Sequence, residues 1–235
     1  MCICLFLFNL IYMNLKSLLL LLAEYADIAG LAIILAVLIF SRDRKMLENK
    51  PYFLIYFGVF FATSLFASLI PDIFKFKSNN WIYDNIPILL CIILFFYFKK
   101  IFTTAGSKKI TIVAFSLLLL FYTVNWNKSI DLYPNLEFYL IFAMFVIINS
   151  VLYFLQELMN IEVSVFSKGD FWFITSVLFY ASSSTLFWMF FKEIYSKYPT
   201  HFNNEYLWPV CYNTILFTSC IIFTSAIFLK TRQSH

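Results

Sequence analysis

Side chains able to do chemistry are scarce in this chain, and five of its thirteen carboxylates stand at the openings of long apolar runs. Glu24 and Asp27, Asp84, Glu137 and Glu205 are placed this way. Glu24 and Asp27 are three residues apart, so a helix puts them on one face. Carboxylates gathered at one end of a helical bundle could bind a cation or a cationic ligand. The ordinary alternative is electrostatic: an acid in the first turn complements the helix dipole and fills unpaired N–H groups. Asp27 and Asp84 are the deepest of the set, and neither has a Lys or Arg within one turn of sequence.

A second group is uncharged. Ser176, Tyr180, Ser183 and Ser184 recur at helical spacing, and Asn149, Tyr153 and Gln156 follow an i, i+4, i+7 pattern. Asn213, Cys220 and Thr224 share one helical face, with Thr214, Thr218 and Ser225 on another. Such residues either line a polar cavity or hydrogen-bond neighbouring helices, at about 0.6–2 kcal/mol each. Asn213 is the strongest candidate for a hub, because a buried amide must satisfy donors and an acceptor together.

Other chemistry finds little support. The two histidines, His201 and His235, lie in a loop and at the terminus, so no base stands beside the serines of the apolar runs. The five cysteines (Cys2, Cys4, Cys91, Cys211, Cys220) lack zinc-ligand spacing, and the last three read as buried thiols. No metal or cofactor is expected. An intramembrane acid mechanism would have Asp27 and Asp84 as its sole pair. The net charge of +4 is no nucleic-acid signal, because the cations cluster at the ends of apolar runs.

These residues must be positioned by helices in lipid. Of 235 residues 62% are hydrophobic and 13% charged, against about 25% charged in soluble domains, and the mean hydropathy is +0.83. Thirty-one phenylalanines suit a lipid-facing bundle, whereas four glycines leave Ser, Thr and Ala to mediate close helix contacts. From Phe171 to Phe191 there are twenty-one residues without a charge, enough for an α-helix of roughly 30 Å, the thickness of a hydrocarbon core. The hydroxyls at its middle need partners, so other helices must surround it.

The expected fold is an all-α, seven-span bundle forming a single transmembrane domain over residues 1–235. Its spans are expected at about 21–40, 51–70, 81–98, 110–125, 137–158, 171–191 and 206–229. Residues 1–20 read as an apolar helical extension, Met13 is an alternative start, and a cleaved signal peptide is disfavoured because no Lys or Arg precedes the apolar core. Pro51 suits a first turn, Pro71 is expected to end the second span, and Pro209 to set the entry angle of the seventh. Residues 103–109 read as a loop.

Positive charge decides the expected orientation. Eleven Lys and Arg residues fall on one side under this topology, with Arg42, Arg44, Lys45 and Lys50 and then Lys99, Lys100, Lys108 and Lys109 as the dense clusters; six fall on the other. The clusters should be cytoplasmic, placing the N-terminus outside and the C-terminus inside. Trp81, Trp126 and Trp208 then mark outer boundaries and Trp172 an inner one.

The stretches KGDFWFITSVLFYASSSTLF, LWPVCYN and WIYDNIPILL carry a resemblance to small uncharacterised bacterial seven-helix membrane proteins, over roughly residues 50–230. The likeness implies seven helices and an inner-membrane location, and no assigned activity or catalytic residue. The expected role is non-enzymatic: a multi-pass sensor, relay or accessory subunit in the lipid bilayer, meeting a protein partner at its cytoplasmic loops. A small transporter or channel with a polar path between helices five, six and seven is the alternative, and an intramembrane lipid-modifying enzyme the third.

Overall fold

A computed structural model describes residues 25–41, 48–74, 80–125, 136–159, 165–197 and 209–233. These residues are helical, in elements named here α1 (Ala26–Phe40), α2 (Lys50–Phe74), α3 (Asn80–Ile101), α4 (Ala105–Asn125), α5 (Leu136–Met159), α6 (Gly169–Lys197) and α7 (Thr214–Gln233). A 3₁₀ turn at Val165–Ser167 precedes α6, and a π turn at Pro209–Asn213 precedes α7. Residues 1–20, Glu24 and Glu205, and the loops holding Arg42, Arg44, Lys45, Trp126, His201 and Trp208, lie outside the described residues.

Among the described residues four helical stretches are long and apolar enough to cross a membrane: Lys50–Leu69, Ala105–Asn125, Glu137–Met159 and Cys211–Phe228. Helix α1 is apolar but shorter. In an apolar solvent such segments coil because every backbone N–H must find a carbonyl within the segment.

Several helix boundaries differ from the sequence expectation: α6 runs on to Lys197 and α7 to Gln233, and two others have a local physical reason. Pro71 does not end α2, which continues to Phe74. A proline removes one backbone donor and crowds the carbonyl four residues back, a local defect that a helix in lipid tolerates. Residues 103–109 do not form a loop either, because α4 starts at Ala105. Thr104 caps it: the Ser107 amide and the Ser107 hydroxyl both meet Thr104 Oγ1, at 3.2 and 2.8 Å. The α3–α4 connection is thereby reduced to Phe102–Thr104.

The helices pack in a ring-like succession. Helix α5 lies along α6, α6 along α7, α7 against α1, and α1 against α2, which also meets α3. Helix α4 is peripheral, held by α3 and α5. At the α1–α7 crossing sits Gly30, where a Cβ would fall 2.9 Å from Phe217 Cδ2 and 3.3 Å from Phe217 Cα. One glycine-mediated approach therefore does shape the bundle, in a chain with few glycines. Inside the bundle Phe173 of α6 is an aromatic hub, its ring 4.5 Å from Phe53, 5.0 Å from Tyr97, 5.3 Å from Tyr56 and 5.8 Å from Phe223. Each such pair contributes about 0.5–1.5 kcal/mol beyond area burial, so this contact set joins α2, α3, α6 and α7.

Candidate functional site

The densest polar constellation lies where α1, α3 and α5 end and α2, α4 and α6 begin. Asp170 stands in the first turn of α6, ahead of the uncharged run. Asn49 provides the backbone cap of α2, its carbonyl accepting from the Tyr52 amide at 2.9 Å. Its side chain turns away from that helix, and Nδ2 donates to Asp170 Oδ1 and Oδ2, each at 3.0 Å. From α3 the Tyr97 hydroxyl donates to Asp170 Oδ1 at 2.8 Å. A carboxylate at this end thus joins residues 121 and 73 positions away in sequence.

Beside it, Lys168 forms an ion pair with Glu157, the last carboxylate of α5, which is buried. Tyr153 lies one turn before Glu157, and both Glu157 and Asp170 act on it electrostatically. Its hydroxyl is buried without a hydrogen-bond partner, as is Asn49 Oδ1. Burial pushes the Asp170 carboxyl up from the ordinary aspartate range, against the opposing pull of the Asn49 and Tyr97 hydrogen bonds; the Glu48 and Glu157 charges add to the rise. Further contacts close the same end. Lys50 Nζ donates to Ser41 O at 3.0 Å, Lys100 Nζ lies 5.2 Å from the Tyr52 ring centroid, and Gln156 Oε1 accepts from the Thr103 amide at 2.9 Å.

The residues singled out in sequence divide among several places. Gln156 ties α5 to the α3–α4 connection, and Asn149 Oδ1 accepts from Thr111 Oγ1 of α4 at 2.6 Å while its Nδ2 donates to Phe145 O. The polar face of α5 is thus engaged on the α3–α4 side. In α6, Ser176 Oγ donates to Phe173 O and Ser184 Oγ to Tyr180 O, each on its own helix. Helices α6 and α7 meet through Ser219 Oγ, which donates to the Ser176 carbonyl at 2.8 Å, and the π turn before α7 meets α6 through the paired hydroxyls of Tyr180 and Tyr212. Ser183 is half-buried, and Asn213 is buried in the π turn that precedes α7. Asp27 lies in the first turn of α1 with Oδ1 buried and unpartnered. Asp84 belongs to α3, and its side chain lies outside the described residues.

Sequence reasoning missed Asp170, Asn49, Tyr97 and Glu157 as members of one cluster. The available signal was Asp170 itself, a carboxylate two residues from Lys168 at the start of an uncharged run of twenty-one residues. Among the described residues no group of three or more His, Cys, Asp or Glu is arranged to hold a metal ion. Cys91 and Cys220 are buried and free. No family model matches this chain, and no curated protein or solved structure matches it.

Proposed function

We propose that this chain is a seven-span inner-membrane protein, N-terminus outside and C-terminus cytoplasmic, that works without catalysis by docking an acidic partner protein on its basic end. One observation carries the reading: Lys50, Lys99, Lys100, Lys108, Lys109 and Lys168 come from three separate connections yet meet at the same end of the bundle. Alternation of the helices puts them there, and charge asymmetry then argues for the cytoplasmic side. Lys99 and Lys109 are exposed, whereas Lys168 and Lys50 are engaged with the bundle. The end therefore offers cations on a framework tied together by Asn49, Tyr97 and Asp170, and an acidic protein surface is its electrostatic complement.

A carrier or channel reading has less support. The hydroxyls of Ser176, Ser182 and Ser184 in α6, and of Thr218 and Thr224 in α7, are turned onto carbonyls of their own helices. The groove of about 530 Å³ between α4 and α5 is lined by apolar residues such as Leu117, Val124, Met144 and Ile148. Neither offers the hydrated polar lining that ion passage requires.

Photo-crosslinking tests the reading. A reactive residue at Lys109 should capture a partner in the membrane, and one at Val124, at the other end of α4, should not. Capture should fall at least tenfold when Lys99, Lys100 and Lys108 are changed to Glu. A chain that remains solitary at both positions would exclude the partner role.

A further inference from the structure

Beyond the docking role, and independent of it, the Asp170 cluster has properties of a ligand site that the helix contacts alone do not require. The Glu157–Lys168 pair cancels its own charge. Among the described residues Asp170 takes no ion pair, so within them its negative charge is uncompensated. Lys50 is directed to the carbonyls of Ile39 and Ser41, Lys100 lies over the Tyr52 ring, and Lys99 lies over the Phe95 ring. Glu48 is exposed, and with Glu157 adds to the negative field at Asp170. Among the described residues Tyr97 and Tyr153 are the remaining titratable groups facing the carboxyl, both buried. A charge in this setting is costly unless a cation or a proton neutralises it.

Two acceptors wait beside it. Asn49 is 6% exposed and Tyr153 is 2% exposed; Asn49 Oδ1 and the Tyr153 hydroxyl both lack partners. Asn49 Nδ2 is equidistant, at 3.0 Å, from the two carboxylate oxygens. Half a turn of the amide places Oδ1 where Nδ2 stands, within reach of a carboxyl O–H, because the two ends of an amide are nearly equal in shape and opposite in hydrogen-bonding sense.

We propose that Asp170 is a proton-binding site. In the unprotonated state the carboxylate accepts from Asn49 Nδ2 and from the Tyr97 hydroxyl, as observed. On uptake of one proton from water at this end of the bundle, the carboxylate becomes a carboxyl group. Its O–H donates to Asn49 Oδ1 after the amide turns, and the Tyr97 bond weakens because its acceptor has lost its charge. No bond other than O–H forms or breaks. Since Asn49 caps α2, Tyr97 lies in the last turns of α3 and Asp170 in the first turn of α6, the proton alters the junction of three helices, and with it the spacing of the basic residues around them. The raised affinity of the carboxyl for a proton, caused mainly by burial, agrees with this assignment.

Infrared difference spectroscopy on the full chain in nanodiscs, titrated in pH, tests it. A protonated-carboxyl band should grow on acidification with a midpoint above about 4, the ordinary aspartate value, and Asp170→Asn should remove it. Tyr97→Phe deletes a hydrogen bond that favours the charged form, and should raise the midpoint by about one pH unit. A band unchanged in Asp170→Asn, or a midpoint at or below the ordinary value, would overturn the proposal. So would a band that follows sodium or potassium at constant pH, which would assign the site to a metal cation. Should Asp170→Asn fail to fold, Tyr97→Phe decides alone: an unmoved midpoint rejects the site.

Discussion

Tyr97 donates its hydroxyl to Asp170 at 2.8 Å, joining the end of α3 to the start of α6. Both residues are ends of apolar runs, and the bond between them fixes which ends of the helices lie together. The same carboxylate holds Asn49 at the start of α2. Three helices therefore share one acceptor, and the consequences can be measured.

Removing the acceptor should cost more than removing either donor. Asp170→Ala leaves Asn49 Nδ2 and the Tyr97 hydroxyl without their partner, at about 1–3 kcal/mol for each buried group. Tyr97→Phe removes one bond and leaves the carboxylate its Asn49 contact, so its cost should be about 1–3 kcal/mol. Thermal unfolding of the purified variants in one detergent checks the order. Equal losses would mean that the carboxylate does not organise the junction.

Stability should also depend on pH through Asp170. Its carboxyl is raised in the folded chain above the ordinary 3.8, so the folded state holds the proton more tightly than the unfolded state does. The resulting stabilisation is fully present below about pH 4 and is lost as pH rises through the raised value. Thermal midpoints followed with pH should show this decline in the parent chain, and Asp170→Asn should flatten it.

Much of the architecture was legible in sequence, and the physical reason is the solvent. Runs such as 171–191 and 137–158 carry no charge over most of a membrane thickness, so coiling and mutual packing are the available outcomes. The self-bonded hydroxyls of Ser176 and Ser184 also follow from a solvent that offers no partners. The Asp170 cluster was not legible. Asn49 stands two residues before Pro51, Tyr97 beside a lysine pair and Glu157 near the end of an apolar run, and nothing in their spacing links them; only the fold brings them together. Thr104 and Pro71 misled for a local reason, since a capping hydroxyl and a tolerated proline shift helix ends without changing the apolar pattern.

The α1–α7 crossing should be sensitive to side-chain volume. At Gly30 a methyl group would already press on Phe217, at 2.9 Å from its ring and 3.3 Å from its backbone. Gly30→Val should destabilise the chain by about 1–3 kcal/mol, and Gly30→Ala by less. Thermal unfolding reads the difference; Gly58→Ala, where a Cβ meets nothing within 4 Å, is the matched control.

On the other side of the bundle, Thr111 and Asn149 attach the peripheral α4 to α5 through a buried hydrogen bond of 2.6 Å. A double-mutant cycle with Thr111→Val and Asn149→Leu should return a coupling of about 0.6–2 kcal/mol. Additive losses would mean that apolar contact alone retains α4.

Everything proposed for the basic end depends on its lying on one face of a membrane. Cysteine labelling with a membrane-impermeant reagent measures this directly, with Lys99→Cys, Lys109→Cys and Val124→Cys each placed in a chain whose five native cysteines are serine. The position at Val124 should label in intact cells, and Lys99 and Lys109 only after the membrane is opened. Labelling of Lys99 and Lys109 from opposite faces, or of all three positions in a chain that stays in the aqueous fraction, would contradict the membrane bundle itself.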